Sequence, residues 1–111
     1  MTVTVRVLIP AKIAEASQTT QYTANGVTTI IDKFTATNYS ASAATLSVNL
    51  VTVSGSAGDA NLITKTKTLQ PAEVYTFPEL VGQVLAPSGF ISTLAGTATA
   101  INIRASGREV S

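Results

Sequence analysis

The chain offers few side chains that could carry out chemistry. It contains no His and no Cys, which removes the usual general base, the thiol nucleophile and the main ligands of transition metals. Six carboxylates remain, and a glycosidase needs two of these together with a cleft. Such clefts use aromatic platforms, yet aromatic residues make up only 5% of the chain and Trp is absent. We therefore expect a protein that is not an enzyme and that has no cofactor, metal or small-molecule substrate.

Two short motifs resemble known sites but lack the surroundings that those sites need. The segment Gly55-Ser56-Ala57-Gly58-Asp59 is rich in glycine like a phosphate-binding loop, yet no Lys-Ser or Lys-Thr pair follows it and it leads into a strand pattern. Asn38-Tyr39-Ser40 matches the acceptor pattern for N-glycosylation, but residues 1–6 lack the basic and long apolar regions of a signal peptide, so we expect no secretion. We interpret the first motif as a mobile hairpin loop and assign no function to the second.

Charge is sparse and scattered along the chain. Seven basic and six acidic residues give a net charge of +1, and without a cluster of Lys and Arg we expect no nucleic-acid partner. Lys65 and Lys67 are expected on one face of a strand, where they either bind an acidic partner or, as we favour, protect a sheet edge. Apolar runs such as Val7-Leu8-Ile9 are far shorter than the about 20 residues that span a bilayer. The sequence predicts a soluble protein made in a cytoplasm, without a membrane partner.

Apolar residues recur with a period of two in short runs between turn residues, which is the pattern of β-strands. The clearest run is residues 44–53, in which Leu46, Val48 and Leu50 are expected to face the core. About eight such strands predict one all-β domain over residues 1–111, a jelly-roll-like sandwich or small barrel of antiparallel strands.

Turn and breaker residues predict the other boundaries. Pro10 is expected to end the first strand because its nitrogen cannot donate a hydrogen bond. Asn25-Gly26 predicts a type I′ turn between the second and third strands. Asp32 would share the apolar face of the third strand, so we expect a bulge or a polar pocket there. Residues 79–86 are either a helical turn or an irregular strand, and residues 106–111 are expected to form a loose tail.

Two segments are candidate binding regions. The N-terminal strand or arm, residues 1–10, has an apolar stripe on one face and an arginine on the opposite face that is available to a carboxylate. A strand at a chain end can pair within its own sheet or add itself to a neighbour's sheet, and both alternatives stay open. The second region is the loop of residues 54–60. The candidate interface residues are Val3, Val5, Arg6, Val7, Ser54, Gly55, Gly58 and Asp59.

Four segments resemble small virion proteins of tailed bacteriophages. They are YTANG at residues 22–26, TIIDKFTATN at 29–38, ELVG at 79–82 and GFIST at 89–93. The whole chain, including its length, is similar to the capsid decoration (staple or cement) proteins of epsilon15-like short-tailed bacteriophages. The resemblance implies a jelly-roll-like homodimer, made in the host bacterial cytoplasm, that lies on the outer surface of the head and clamps neighbouring copies of the major capsid protein.

Two other functions remain open. A phage tail or neck accessory protein would have the same small β-sandwich style, and counting its copies per virion would separate it from a head protein. A carbohydrate-binding β-sandwich module is the other alternative, although the scarcity of aromatic residues speaks against it because sugar-binding platforms use Trp and Tyr. A polysaccharide pull-down would decide that case.

Overall fold

Nine β-strands form two antiparallel sheets in the computed structural model, which describes residues 1–111. The strands are β1 (Val3–Ile13), β2 (Thr19–Thr23), β3 (Thr28–Asn38), β4 (Ala44–Val51), β5 (Leu62–Leu69), β6 (Val74–Tyr75), β7 (Val84–Leu85), β8 (Phe90–Ala95) and β9 (Ile101–Val110). One turn of 3-10 helix spans Asp59–Asn61. No helix has the length and apolar character needed to cross a membrane. The predicted all-β class is confirmed.

The order of the strands is that of a jelly roll. The first sheet runs β1-β9-β3-β6, with β7 also paired to β3, and the second runs β2-β8-β4-β5. Since β6 and β7 bond to the two ends of the same edge of β3, they act as one interrupted strand. The chain then alternates between the sheets, with β4 and β5 as the one hairpin inside a sheet, and the predicted jelly-roll-like sandwich is confirmed.

The core lies between the two sheets and is built from inward-facing residues of both. Phe34 and Phe77 are fully buried, and their rings meet edge to face with centroids 4.9 Å apart. On β4, Leu46 and Val48 are fully buried as predicted, whereas Leu50 is half-buried at the rim of the core. The alternation of β4 therefore indicates the correct face, and its position along the strand decides how deeply each residue is buried.

A bulge in β3 moves Asp32 out of the apolar face, as predicted. The register of β3 with β9 shifts between Ile31 and Lys33. Asp32 is therefore exposed, while Ile31 and Phe34 both face the core. Close contact accompanies the bulge, because a Cβ on Gly107 of β9 would lie 2.1 Å from the carbonyl oxygen of Ile30. Only glycine fits at that position.

Pro10 does not end the first strand, so this prediction is wrong. β1 continues to Ile13, and its register with β9 shifts between Val7 and Ile9 and again between Ile9 and Lys12. Because β1 is an edge strand and Pro10 lies in the second irregularity, its missing N–H removes no bond from the ladder. The strand is therefore longer than the proline suggests.

The C-terminal segment, expected to be a loose tail, is ordered sheet. Residues 101–110 form β9, which lies between β1 and β3 in the first sheet. Thr2 and Ser111 also exchange two backbone hydrogen bonds, of 2.8 and 2.9 Å. Polar composition indicated a tail, but pairing on both sides of β9 satisfies its backbone and orders it.

Two turn predictions also change. Asn25-Gly26 connects β2 in the second sheet with β3 in the first, so it is not a hairpin turn. Only Gly26 has a positive φ, of 72°, whereas a type I′ turn needs positive φ at both central residues. Both alternatives for residues 79–86 hold in part, since residues 78–82 form turns and β7 follows.

Candidate functional site: the valine face of the first sheet

Residues 3–7 of β1 lie on an open sheet edge and are all exposed. The exposed fractions are 53% for Val3, 82% for Val5 and 48% for Val7. β1 pairs with β9 on one side, and no strand pairs with its other side. Contiguous exposed apolar side chains mark interaction surfaces in folded proteins. The predicted apolar stripe therefore exists and is accessible.

The cross-strand register extends this apolar surface over the outer face of the first sheet. Val5 lies opposite Arg108, Arg108 opposite Ile30, and Ile30 opposite Val84 of β7. In the next row, Val3 lies opposite Val110. Directly opposed residues have their side chains on the same face of a sheet. The valine face, as we name it, is the set Val3, Val5, Val7, Ile30, Val84 and Val110.

Charged groups lie within and beside the valine face. Arg108 forms an ion pair with Asp32, with 2.8 Å between Nη2 and Oδ1. Lys33 and Arg104 line a shallow depression of about 220 Å³ next to it, with Ser106 between them. Neither cation has a carboxylate within ion-pair distance, because the three ion pairs of the protein involve Arg6, Lys12 and Arg108. The margin of the valine face thus carries two unpaired positive charges.

Arg6 lies on the opposite face of β1, as its alternation with the valines predicts. Its guanidinium is held within the protein, with Nε 2.9 Å from Oε1 of Glu109. The other oxygen of Glu109 accepts a hydrogen bond of 2.5 Å from the Tyr22 hydroxyl. Burial, together with this bond to Glu109, raises the pKa of Tyr22 to about 12. Arg6 therefore joins β1 to β9 and already has a carboxylate partner.

The loop of residues 54–60 is ordered by a network of amide side chains. Asn49 of β4 donates from Nδ2 to the carbonyl oxygen of Gly58 at 3.0 Å and to Oδ1 of Asn61 at 2.7 Å. Asn61 in turn donates to the carbonyl oxygen of Ser56 at 2.9 Å. At the start of the loop, the amide of Gly55 closes a turn onto Thr52. Composition predicted a mobile loop, whereas these bonds fix its path.

The structure places the loop and the valine face on different sheets. Gly58 and Asp59 border a polar groove of about 190 Å³ on the outer face of the second sheet, beside Asn49 and Lys65. Ser54 has a positive φ of 63° in the turn after β4. The two candidate regions of the sequence therefore do not form one site, and only the valine face combines exposed apolar side chains with an open edge.

Lys65 and Lys67 do not share a face, so this expectation is wrong. The register of β5 with β4 is irregular between them, and Thr66 has a positive φ of 44°. The ammonium of Lys67 lies 4.5 Å from the ring centroid of Tyr75, whereas Lys65 lines the polar groove. The bulge and the charges together suit the edge-protecting role that the sequence favoured.

Five residues of the site carry no signal in the sequence. Ile30, Val84 and Val110 complete the valine face, and Lys33 and Arg104 form its basic margin. Each is one residue of an ordinary strand pattern, with no local motif. Their proximity depends on the pairing of β9 with both β1 and β3, which local patterns do not reveal.

A carboxylate on the far side of the fold links the two sheets. Glu79 accepts hydrogen bonds from the hydroxyls of Thr64 on β5 and Tyr75 on β6. Burial by itself would raise the pKa of Glu79, but the hydrogen bonds outweigh it and the pKa is lowered. Its contribution to stability is therefore present above the pKa of the unfolded chain, about 4.3, and is lost as the pH falls through the lower folded value.

We expect Glu79→Gln to reduce the loss of stability in acid. At pH 7 the variant should cost about 1 kcal/mol or less, the size of one hydrogen bond at a partly exposed group. Carboxylates titrate between about pH 5 and about pH 3, and over this range the free energy of unfolding of the variant should fall less than that of the wild type. Urea unfolding at pH 7 and across this range measures the cost of the substitution and its pH dependence. Asp59→Asn is the control, because the carboxylate of Asp59 accepts no hydrogen bond. The same slope in Glu79→Gln and wild type would contradict the assignment.

Comparison of the chain with family models, with curated proteins and with solved structures finds no match. The function is therefore inferred from the valine face, its open edge and its charges.

Proposed function

We propose that this protein is a structural virion protein that binds the outside of a phage head as a homodimer and clamps neighbouring major-capsid subunits, which stabilises the shell. The observation that carries the proposal is the valine face beside the open edge of β1, where Val5 is 82% exposed. The valine face combines these apolar side chains with the Arg108–Asp32 ion pair, and apolar and Arg side chains are both common at protein interfaces. The resemblance to decoration proteins supports the choice of a capsid as the partner.

The charges beside the valine face indicate what the capsid surface should offer. Lys33 and Arg104 have no carboxylate partner of their own. A surface with apolar side chains flanked by Asp or Glu would match both parts of this region. Complementary charges of this kind orient two proteins and speed their association. The capsid site is therefore an apolar patch with an acidic border.

The shape of the domain and its repetition suit a clamp. The molecule measures 46 × 26 × 19 Å along its principal axes, so its long dimension can cross the seam between two subunits. Only 12% of its residues are charged, which leaves little repulsion against another protein surface. On a shell with many equivalent sites, a dimer that engages two subunits also gains from avidity.

Heads assembled without this protein are expected to release their DNA at a lower temperature than heads that carry it. Adding the wild-type protein back should restore the original temperature, because each clamp must be broken before the shell ruptures. Val84→Lys should bind heads at least about tenfold more weakly, since it would bury a charge in the apolar interface. Val53→Lys, at a valine that is 59% exposed away from the valine face, is the matched control.

Fluorescence of a DNA-binding dye during heating measures the release, and co-sedimentation with heads measures binding. Identical release curves with and without the protein would refute the clamp. Equal binding of the Val84→Lys and Val53→Lys variants would refute the valine face as the contact. A quantitative gel of virions separates this proposal from a tail or neck accessory role, because a head protein is present in far more copies.

The polar groove of the second sheet supports a second candidate, carbohydrate binding. Gln18, Asn49 and Asp59 line it together with Lys65, and amide, carboxylate and ammonium groups all form hydrogen bonds with sugar hydroxyls. A polysaccharide pull-down compared between wild type and Asp59→Ala tests it. Retention of the wild type alone would favour this function, and no retention of either would remove it.

A further inference from the structure

The edges of the two sheets differ in how they are protected against pairing. β5 carries two lysines and a bulge at Thr66, β6 and β7 have two residues each, and β2 is a five-residue strand with a register shift after Thr20. Bulges, charges and short strands are the usual devices that keep edges from pairing. Residues 3–7 of β1 pair with β9 without any register shift, so this segment has no bulge. Its one charged side chain, Arg6, is held in an ion pair with Glu109 of the same chain.

The hydrogen-bond pattern shows which backbone groups face this open edge. Thr2 and Ser111 exchange both of their backbone bonds. In an antiparallel ladder, such pairs alternate with pairs that exchange none. Thr4 and Arg6 therefore direct their N–H and C=O groups to β9, whereas Val3, Val5 and Val7 direct theirs away from the sheet. The residues with unpaired backbone groups are the same residues that present valine side chains on the outer face.

We propose that this edge pairs antiparallel with the same edge of a second copy of the chain, with Val5 on the two-fold axis. In this register Val3 lies opposite Val7 of the partner subunit, Val5 opposite the partner's Val5, and Val7 opposite the partner's Val3. Each of the three pairs can exchange two backbone hydrogen bonds, about six in all. The first sheet of each subunit then joins that of its partner in one continuous sheet, and the two valine faces become adjacent across the axis.

The charges on the opposite face select this register. With Val5 on the axis, Arg6 lies opposite the partner's Thr4, in the row that ends at the partner's Glu109, since Thr4 is opposed by Glu109 within each chain. An axis at Arg6 would place two arginines directly opposite each other, which is unfavourable. An axis at Thr4 would leave Val7 opposite the partner's Met1. The Val5 axis alone pairs all three valines and alternates positive and negative charge across the dimer.

The ends of the paired segment are also defined. The register shift between Val7 and Ile9 interrupts the ladder, and Leu8 and Ile9 turn into the core, where they are 4% and 0% exposed. The edge available to a partner is therefore residues 3–7. The inference rests on the proposed function for its purpose, a two-armed clamp, but the pairing itself is a property of the isolated protein and is tested without heads.

Register-specific crosslinking tests the pairing, because the chain has no native Cys. In the Val5→Cys variant, the Cα atoms of position 5 in the two subunits would lie about 5.5 Å apart, as in a hydrogen-bonded pair. This distance is within the range of about 4.4 to 6.8 Å that a disulfide needs. We expect a covalent dimer on a non-reducing gel after treatment with oxidised glutathione. Val3→Cys alone should not crosslink, because its mate lies about 13 Å away along the strands.

A mixture of the Val3→Cys and Val7→Cys variants should form the mixed disulfide, since these two positions oppose each other across the axis. Crosslinking through Thr4→Cys or Arg6→Cys in place of Val5→Cys would overturn the register. The mixing experiment thus distinguishes an antiparallel pair at Val5 from a nonspecific collision of exposed thiols, which would join all variants equally.

Sedimentation of the full chain over a concentration series tests the interface without a crosslink. Val5→Pro removes an N–H that faces the open edge and spares the ladder to β9, so it should weaken self-association about tenfold or more by removing two of the six bonds. Its melting temperature as a monomer should match that of the wild type at low concentration. Val84→Lys, on the far edge of the sheet, should dimerise normally. A wild type that stays monomeric throughout the series, or a Val5→Pro variant that dimerises as the wild type does, would overturn the proposal, whereas failure of head binding alone would count against the clamp.

Discussion

Deletion of residues 2–9 is expected to unfold the protein. The segment contains Leu8 and Ile9, which are 4% and 0% exposed in the core, and it pairs with β9 along the length of the missing strand. Loss of each buried aliphatic side chain costs about 2 to 5 kcal/mol, so the two together approach the total stability of about 5 to 15 kcal/mol for a domain. Far-ultraviolet circular dichroism and urea unfolding measure the effect.

Removal of residues 2–4 alone is the matched control for this deletion. All three of these side chains are exposed, so the shortened protein should keep its fold and lose only part of the edge ladder. Comparing the two truncations shows whether residues 2–9 are a strand that the fold requires or an arm that can be removed without unfolding. The burial of Leu8 and Ile9 would be contradicted as a source of stability if the protein without residues 2–9 melted cooperatively at a temperature close to that of the wild type.

Leu46→Ala is expected to cost about 3 to 5 kcal/mol, because Leu46 is fully buried between the sheets and the change leaves a cavity. Leu50→Ala is the matched control on the same strand and should cost about half as much or less, since Leu50 is half-buried and exposes less new apolar surface when truncated. Urea unfolding of both variants gives the comparison. Equal costs would mean that the rim of the core at Leu50 is as tightly packed as its centre.

Local patterns were sufficient for the fold class and for several strands. The alternation in residues 44–51 has only one solution in a sandwich, because a strand with one apolar face must turn that face to the other sheet. Asp32 indicated its own bulge, since a charged residue in an apolar row costs too much to bury unpaired. These predictions succeeded because each depends on a single strand and its two faces.

Predictions that depended on neighbouring strands were the ones that changed. Pro10 is tolerated because β1 is an edge strand. The polar residues after position 105 are ordered because they belong to β9, which pairs with a strand on each side. Asn25-Gly26 joins two sheets although its composition suits a hairpin. In each case the local residue preference was weaker than the backbone hydrogen bonding supplied or withheld by strands distant in sequence.

The sequence by itself determined that Val3, Val5 and Val7 share a face and that Arg6 lies on the other, because side chains of a strand alternate with a period of two whatever pairs with it. The tertiary structure decided that the valine face also includes Ile30, Val84 and Val110. It also decided that Arg6 forms an ion pair with Glu109 and that the 54–60 loop borders the polar groove of the second sheet. Register between strands is set by the packing of the whole core, and it brings together residues from opposite ends of the chain. Alternation is local, whereas register is not, and this difference separates the residues that the sequence could identify from those that it could not.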